Sequence, residues 1–140
     1  MFVLDTNVIC ELRRPARADP HLLAWASATP TSRLFLSAIT LLEIEMGVLR
    51  IARRDQAQGR LLRAWIDDQI LPTFEDRILA IDAAVARRCA QLHVPDPRSE
   101  RDALIAATAL VHGMTVVTRN VADFAPMGVA LLNPWQPAGS

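Results

Sequence analysis

The chain has 140 residues, of which 51% are hydrophobic, and its formal net charge is zero. This length and composition predict one domain with a substantial core and exclude a disordered chain. The neutral charge balance excludes a protein that coats nucleic acid through bulk electrostatics. All 15 basic residues are arginine, which excludes a P-loop lysine and a Schiff-base mechanism. No apolar run reaches the roughly 20 residues of a membrane-spanning helix, and no secretory signal is visible, so we expect a cytoplasmic protein.

Strand-like and helix-like patterns alternate along the chain. In order, we predict a strand at 1–4, helices at 8–13 and 21–28, a strand at 34–36, and helices at 40–54 and 55–69. Short extended segments at 70–71 and 77–81 precede helices at 83–93 and 99–112 and strands at 115–118 and 129–132. Asp82 is the predicted N-cap of the first of these two helices, and Gly113 the C-terminal stop of the second.

This alternation predicts an α/β fold in which a central parallel sheet is flanked by helices on both faces. We expect residues 1–135 to form a single domain and residues 136–140 to form a loose C-terminal tail.

Four acidic residues lie where such a fold would gather them. Asp5 follows the first strand and Asp123 follows the strand at 115–118, while Glu43 and Asp102 lie in the first turns of two predicted helices. In parallel α/β sheets the functional crevice lies outside the carboxyl ends of the strands. Carboxylates gathered there repel one another unless they bind a hard cation such as Mg²⁺ or Mn²⁺. The pattern therefore predicts an acidic metal site suited to phosphodiester chemistry.

Each of these acids also has a purely structural interpretation. Asp5 is a candidate N-cap for the helix that follows it. Glu43 and Asp102 each lie three residues after a threonine or a serine, as in a capping box. Asp123 lies in a segment of ordinary loop residues. The prediction of a site therefore depends on the four positions taken together.

The helical periodicity of residues 40–54 leaves two glutamates as candidates. The apolar stripe of this helix comprises Leu41, Leu42, Ile44, Val48, Leu49 and Ala52. Glu45 falls near the middle of the stripe, whereas Glu43 lies on the opposite side with Gly47 and Arg50. Glu45 is therefore the candidate buried acid and Glu43 the candidate cleft acid, and periodicity alone does not decide which one is functional.

Taken together, several segments resemble the PIN-domain ribonucleases, and in particular the VapC and FitB toxins of bacterial toxin–antitoxin pairs. The segments are residues 2–9, residues 37–43 with Gly47, residues 102–109 and residues 117–124, followed by Gly128-Val129 and Asn133-Pro134-Trp135. They cover nearly the whole chain, and their order and spacing carry the resemblance.

The resemblance implies a Rossmann-like PIN domain that cleaves RNA endonucleolytically with Mg²⁺ or Mn²⁺. Carried over by position, the metal-binding and catalytic acids are Asp5, Glu43, Asp102 and Asp123. The supporting polar residues are Thr6, Asn7, Thr118 and Asn120. The resemblance favours Glu43 over Glu45. Some relatives have an acid where this chain has Asn120, so the resemblance leaves two alternatives for the fourth acid: its role is shared between Asp123 and that position, or it is shifted from one to the other.

The resemblance also implies partners. It implies a homodimer that is neutralised by a small VapB- or FitA-like antitoxin, with a DNA-binding N-terminal part and a C-terminal segment that wraps the toxin. One alternative is a catalytically weak PIN-like module that binds RNA or a partner. Another is a receiver-like switch with Asp5 as phosphoacceptor near Mg²⁺, but a receiver needs a lysine that this chain lacks.

Overall fold

A computed structural model describes residues 1–137 of the chain. Five strands form one sheet in the order β3-β2-β1-β4-β5, and every neighbouring pair is parallel. The strands are β1 (Phe2–Leu4), β2 (Leu34–Ser37), β3 (Ile78–Leu79), β4 (Thr115–Val117) and β5 (Leu131–Leu132). The predicted parallel α/β fold is therefore confirmed. Because the chain leaves β1 towards β2 and later returns to β4 on the other side, a crevice is expected at the carboxyl ends of β1 and β4.

Helices connect the strands and cover the sheet. They are α1 (Thr6–Leu12), α2 (Pro20–Ala28), α3 (Ala38–Arg54), α4 (Gln56–Trp65), α5 (Leu71–Thr73), α6 (Ala83–Leu92), α7 (Glu100–His112) and α8 (Val121–Phe124). A π-helical turn spans Ile66–Ile70, and 3₁₀ turns span Pro15–Arg17, Thr31–Arg33 and Ala125–Met127. Within residues 1–137, none of the helices has the length and apolar character needed to cross a membrane.

The core has two layers because consecutive strand residues point to opposite faces of the sheet. Leu4 and Val117 pack on the face covered by α1 to α4. Val3 and Val116 pack on the other face, mainly against α6, α7 and α8. All four side chains are buried, and each contributes about 1.5–3 kcal/mol by leaving water. This packing fixes the positions of the strand ends, and therefore of the residues that follow them.

The start of α3 corrects the sequence prediction. Ser37 caps this helix, since its hydroxyl accepts a hydrogen bond from the Ile39 backbone N–H at 3.3 Å. The helix therefore begins at Ala38 rather than at Thr40. Glu43 consequently lies in the second turn, so both its predicted first-turn position and the capping box with Thr40 are wrong. By contrast, the predicted cap at Asp82 and stop at Gly113 are confirmed.

Residues 66–73 are helical, so the extended segment predicted at 70–71 is wrong. The apolar residues Leu62, Ile66, Ile70 and Phe74 are all buried and recur every four residues, which is the spacing of a helix face. The π-helical turn contains a wider backbone bond, from the Leu71 N–H to the Ile66 carbonyl, immediately before Pro72. Proline disrupts an ordinary helix interior, which explains why a break was predicted here.

The last segments differ from prediction in extent. Residues 121–124, predicted as loop, form the single helical turn α8, anchored by the fully buried Phe124. The edge strand predicted at 129–132 is shorter, at Leu131–Leu132. Of the tail predicted at 136–140, Gln136 and Pro137 are exposed, and residues 138–140 lie outside the described residues.

Helices α3 and α4 approach each other closely at Gly59. A Cβ atom added at Gly59 would lie 2.5 Å from the Cβ and 2.7 Å from the Cα of Ala52. A Cβ added at Gly47, in the middle of α3, would meet nothing within 4 Å. The missing side chain of Gly59 therefore permits the close contact between the two helices, whereas Gly47 lies at no such contact.

We predict that Gly59→Ala destabilises the protein by about 1–3 kcal/mol, because one of the two helices must shift. The matched variant Gly47→Ala should increase the free energy of unfolding by about 0.5–1 kcal/mol, because alanine is the better helix former. Urea unfolding of both variants measures the difference. A Gly59→Ala variant as stable as the wild type would contradict the close helix contact.

Candidate active site at the carboxyl ends of the strands

Asp5 joins the ends of β1 and β4. Its side chain is 6% exposed, and its Oδ1 accepts a hydrogen bond from the Thr6 backbone N–H at 2.8 Å. Its Oδ2 accepts from the Thr118 hydroxyl at 2.8 Å and from the Asn7 amide at 3.2 Å. Asp5 is therefore the N-cap of α1 and, at the same time, a buried carboxylate at the predicted crevice.

Glu43 reaches the same place from α3. The Thr6 hydroxyl donates a hydrogen bond to Glu43 Oε1 at 3.2 Å. On its other side, Glu43 Oε2 lies 3.8 Å from Nη1 of Arg101, at the start of α7. Arg101 was not singled out by the sequence, although it directly precedes Asp102. Glu43 thus lies between α1 and α7, on the side of α3 that faces Asp5.

Glu45 points away from this place. It forms a salt bridge with Arg63 of α4, with an Nη2 to Oε2 distance of 2.6 Å. The Glu45 side chain is 31% exposed and that of Glu43 is 22% exposed, so the expectation that Glu45 is the buried acid is wrong. Leu42 and Leu49, assigned to the apolar stripe, are exposed as well.

Asp102 and Asp123 come from the first turns of α7 and α8. The Ser99 side chain forms no capping hydrogen bond at the start of α7, so the capping box suggested for Asp102 lacks its serine contact. Burial, together with the negative charges of Asp5, Asp123 and Glu43, raises the pKa of Asp102 to about 6. The four predicted acids are therefore close enough together for the charges of the other three to act on Asp102.

The same effects act on the buried Asp5 and the partly buried Glu43. Burial raises the pKa of Asp5, the hydrogen bond from Thr118 partly offsets this, and the negative charge of Asp123 adds to the increase. Burial also raises the pKa of Glu43, with the Thr6 hydroxyl opposing and Asp5 adding to the increase. Neighbouring carboxylates with raised pKa values are typical of functional sites.

The predicted supporting residues are arranged around Asp5. The Asn7 amide nitrogen also lies 3.5 Å from the Thr118 hydroxyl, and that hydroxyl accepts from the Asn120 backbone N–H at 3.0 Å. The Asn7 Oδ1 atom is buried and has no hydrogen-bond partner among the described residues. Asn120 contributes through its backbone, because its amide side chain makes no hydrogen bond within residues 1–137.

The donor atoms suit a hard cation, but they are not gathered into a coordination sphere. All of the predicted ligands offer oxygen, which Mg²⁺ and Mn²⁺ prefer, and the unpartnered Asn7 Oδ1 adds a further buried oxygen. Within residues 1–137, however, no three His, Cys, Asp or Glu side chains are close enough together to hold one metal ion. The cluster thus has the chemistry of a cation site with its carboxylates apart, as like charges favour.

A cleft of about 410 Å³ opens beside Glu43 and Thr6. It runs between α1, α3 and α4, and its lining includes Arg13 and Arg14 together with apolar residues such as Trp65. The cleft therefore combines an apolar wall with two arginines and one glutamate.

We predict that Asp102→Asn stabilises the protein in EDTA at pH 7.5 by about 0.5–1 kcal/mol, after allowance for solvent screening of a partly exposed group. A carboxyl whose folded-state pKa is raised keeps its proton between its ordinary value of 3.8 and about 6, where the unfolded chain has lost it. The free energy of unfolding of the wild type therefore falls as pH rises through this window, and the advantage of the variant vanishes near pH 4.

Urea unfolding at both pH values measures this effect, with Asp68→Asn, an exposed acid on the π-helical turn, as the matched control. If Asp102→Asn were no more stabilising at pH 7.5 than that control, the repulsion within the cluster would be refuted.

Comparison with known proteins agrees with this geometry. The PIN domain family matches residues 2–126. The chain is 38% identical to VapC ribonuclease Y4jK of Sinorhizobium fredii, covering 99% of this chain and 100% of that protein. It is 36% identical to toxin FitB of Neisseria gonorrhoeae, covering 96% and 99%. The crystal structure of FitAcB from Neisseria gonorrhoeae superposes with a TM-score of 0.89 at 35% identity, covering 97% and 99%. The chain therefore belongs to the PIN-domain family, among the VapC and FitB toxin ribonucleases of toxin–antitoxin systems.

Proposed function

We propose that the chain is a Mg²⁺- or Mn²⁺-dependent endoribonuclease that hydrolyses RNA phosphodiester bonds as the toxin of a toxin–antitoxin pair. The observation that carries this proposal is the cluster of mutually repelling acids around the buried Asp5 carboxylate, at the strand ends. The compartment proposed for this reaction is the cytoplasm.

In this proposal Asp5, Glu43 and Asp102 hold one divalent cation, and Asp123 completes the pocket or serves a second ion. The oxygen-only donor set and the unpartnered Asn7 Oδ1 support this assignment. When bound, a divalent cation polarises the scissile phosphate and lowers the pKa of the attacking water.

The neighbouring polar residues orient the acids. The Thr118 hydroxyl and the Asn7 amide hold Asp5 Oδ2, and the Thr6 hydroxyl holds Glu43 Oε1. These bonds fix two carboxylates from different helices relative to each other. Holding the carboxylates in fixed positions reduces the reorganisation needed for cation binding.

A second candidate is a catalytically weak module that binds RNA or a partner. The observation that favours it is the separation of the acidic side chains, no three of which form a metal-binding group within the described chain. The two functions differ in whether RNA cleavage depends on the metal and on Asp5.

We predict that Asp5→Asn and Glu43→Gln each reduce metal-dependent RNA cleavage by about 100-fold or more, because loss of a ligand weakens cation binding. Glu45→Gln is the matched control, since it removes a glutamate of the same helix that pairs with Arg63 instead. It should leave cleavage unchanged and cost about 0–1 kcal/mol of stability. Cleavage of structured and single-stranded RNA with Mg²⁺, Mn²⁺ or EDTA measures the effect.

Asp5→Asn should stay folded, because asparagine is also a good N-cap and the change removes a repelling charge. If this variant failed to fold, the capping role of Asp5 would dominate. If wild-type protein neither cleaved RNA nor bound Mg²⁺ or Mn²⁺ by calorimetry, the binding-module function would replace the nuclease. Equal losses in Glu43→Gln and Glu45→Gln would contradict the assignment of Glu43.

The proposed partners are a small antitoxin and a second copy of the chain. The cleft lined by Arg13, Arg14 and Trp65 is the proposed binding site for the C-terminal segment of the antitoxin, because the cleft opens beside Glu43. For the homodimer, Leu49 and Leu61 supply exposed apolar surface on α3 and α4. Leu62 and Ile66, which follow Leu61 along the chain, cannot contribute to such a surface, since both are buried in the core.

Expression of the chain alone in bacteria is expected to arrest growth, and co-expression of the small reading frame adjoining its gene is expected to restore it. Asp5→Asn should abolish the arrest but should still copurify with the antitoxin, because the substitution leaves the cleft intact. Growth arrest by Asp5→Asn as strong as that by the wild type would show that the toxicity does not come from the acidic site.

A further inference from the structure

Arg119 lies at the edge of the acidic cluster. It directly follows Thr118, whose hydroxyl donates to Asp5, and its side chain is exposed. Its guanidinium carbon lies over the ring of Trp135, 5.7 Å from the ring centroid. Arg119 is therefore a surface arginine that is held against an aromatic side chain beside the site.

Trp135 is a fixed support for this arginine. It is 9% exposed and packs in the core on the α1 to α4 face. Its indole N–H donates to Glu11 Oε2 at 3.0 Å, and the same oxygen accepts from the Asp19 backbone N–H at 2.9 Å. Its backbone N–H donates to Asn133 Oδ1 at 3.0 Å. Glu11 belongs to α1, the helix capped by Asp5, so the support is tied to the site itself.

The charge and hydrogen-bond donors of Arg119 remain available. Among the described residues it forms no salt bridge, whereas Arg101 is paired with Glu43. A cation–π contact engages the π face of the ring and uses none of the N–H donors of the guanidinium. These donors have the fork geometry that binds a phosphate through two hydrogen bonds.

We propose that Arg119, held by Trp135, binds a backbone phosphate of the RNA strand next to the phosphate that is cleaved. The four acids repel an RNA backbone, and Arg119 supplies a positive charge, unpaired among the described residues, beside the end of β4 that attracts a phosphate to that side of the cluster. This inference rests on the proposed nuclease function, and it names the residue that positions the substrate.

Arg33 provides a matched control. Its guanidinium carbon lies over the ring of Phe2, 5.4 Å from the centroid, and the side chain is exposed. Arg33 precedes β2, however, and so lies at the amino ends of the strands, at the edge of the sheet opposite the acids. It shares the stacked geometry with Arg119 but not the location.

The experiment measures binding of a fluorescein-labelled, random-sequence, single-stranded RNA oligonucleotide by anisotropy, in the uncleaving Asp5→Asn background. Adding Arg119→Gln should weaken binding about tenfold, and the slope of log K against log salt should become shallower by about 0.7, the value for one lost phosphate contact. Arg33→Gln should change neither quantity. Arg119→Lys should restore the slope but only part of the affinity, because lysine keeps the charge and lacks the fork. Trp135→Leu should weaken binding less than Arg119→Gln does.

RNA cleavage by the Arg119→Gln variant of the otherwise wild-type protein distinguishes a failure of the Arg119 inference from a failure of the proposed nuclease function. We expect a raised KM with kcat changed much less, and a thermal unfolding midpoint equal to that of the wild type. If the wild type cleaves RNA while Arg119→Gln binds and cleaves equally well, or while Arg33→Gln is equally impaired, this inference alone fails. If the wild type shows no metal-dependent cleavage of any RNA, the proposed function and this inference fail together.

Discussion

The hydrogen bonds of the Asp5 carboxylate join the start of α1 to the end of β4, and the arrangement of the whole site depends on this connection. One of the Asp5 oxygens caps α1, and the other accepts hydrogen bonds from Thr118 and Asn7. These contacts link the end of β1 to the end of β4, where the strand order reverses and a crevice is expected. A single buried side chain thereby performs a structural task and defines the centre of the chemistry.

The acidic cluster forms the candidate site and also lowers the stability of the protein. Burial and mutual repulsion raise the pKa values of Asp5, Glu43 and Asp102, so the metal-free protein is destabilised where these groups are ionised. The two-layered core and the hydrogen bonds from Thr6 and Thr118 offset this cost. Such a site is expected to be maintained for function, because selection for stability alone would remove its charges.

Sequence reasoning predicted the parallel fold, because alternating strand and helix patterns are local signals. The four acids lie close enough to affect one another electrostatically, and their role as metal ligands stays a prediction. The choice of Glu43 over Glu45 came from the family resemblance, since periodicity did not decide it. Sequence reasoning misplaced Glu43 by assigning the helix cap to Thr40, although Ser37 offers the same capping chemistry at the end of β2. It also missed the contact of Arg119 with Trp135, which joins distant parts of the chain. Such a contact depends on how α1, β4 and the C-terminal segment pack, and no local pattern encodes that packing.

The most direct test of the cation site is a crystal structure of the protein grown or soaked with Mn²⁺, read from the anomalous scattering of the metal. We expect one strong peak coordinated by oxygens of Asp5, Glu43 and Asp102, with these carboxylates close enough together to bind one ion. Asp123 would then either bind the same ion or lie beside a second peak. The metal-dependent mechanism would be contradicted if no peak appeared at this cluster at a saturating concentration of Mn²⁺. A peak coordinated by other residues would contradict it as well.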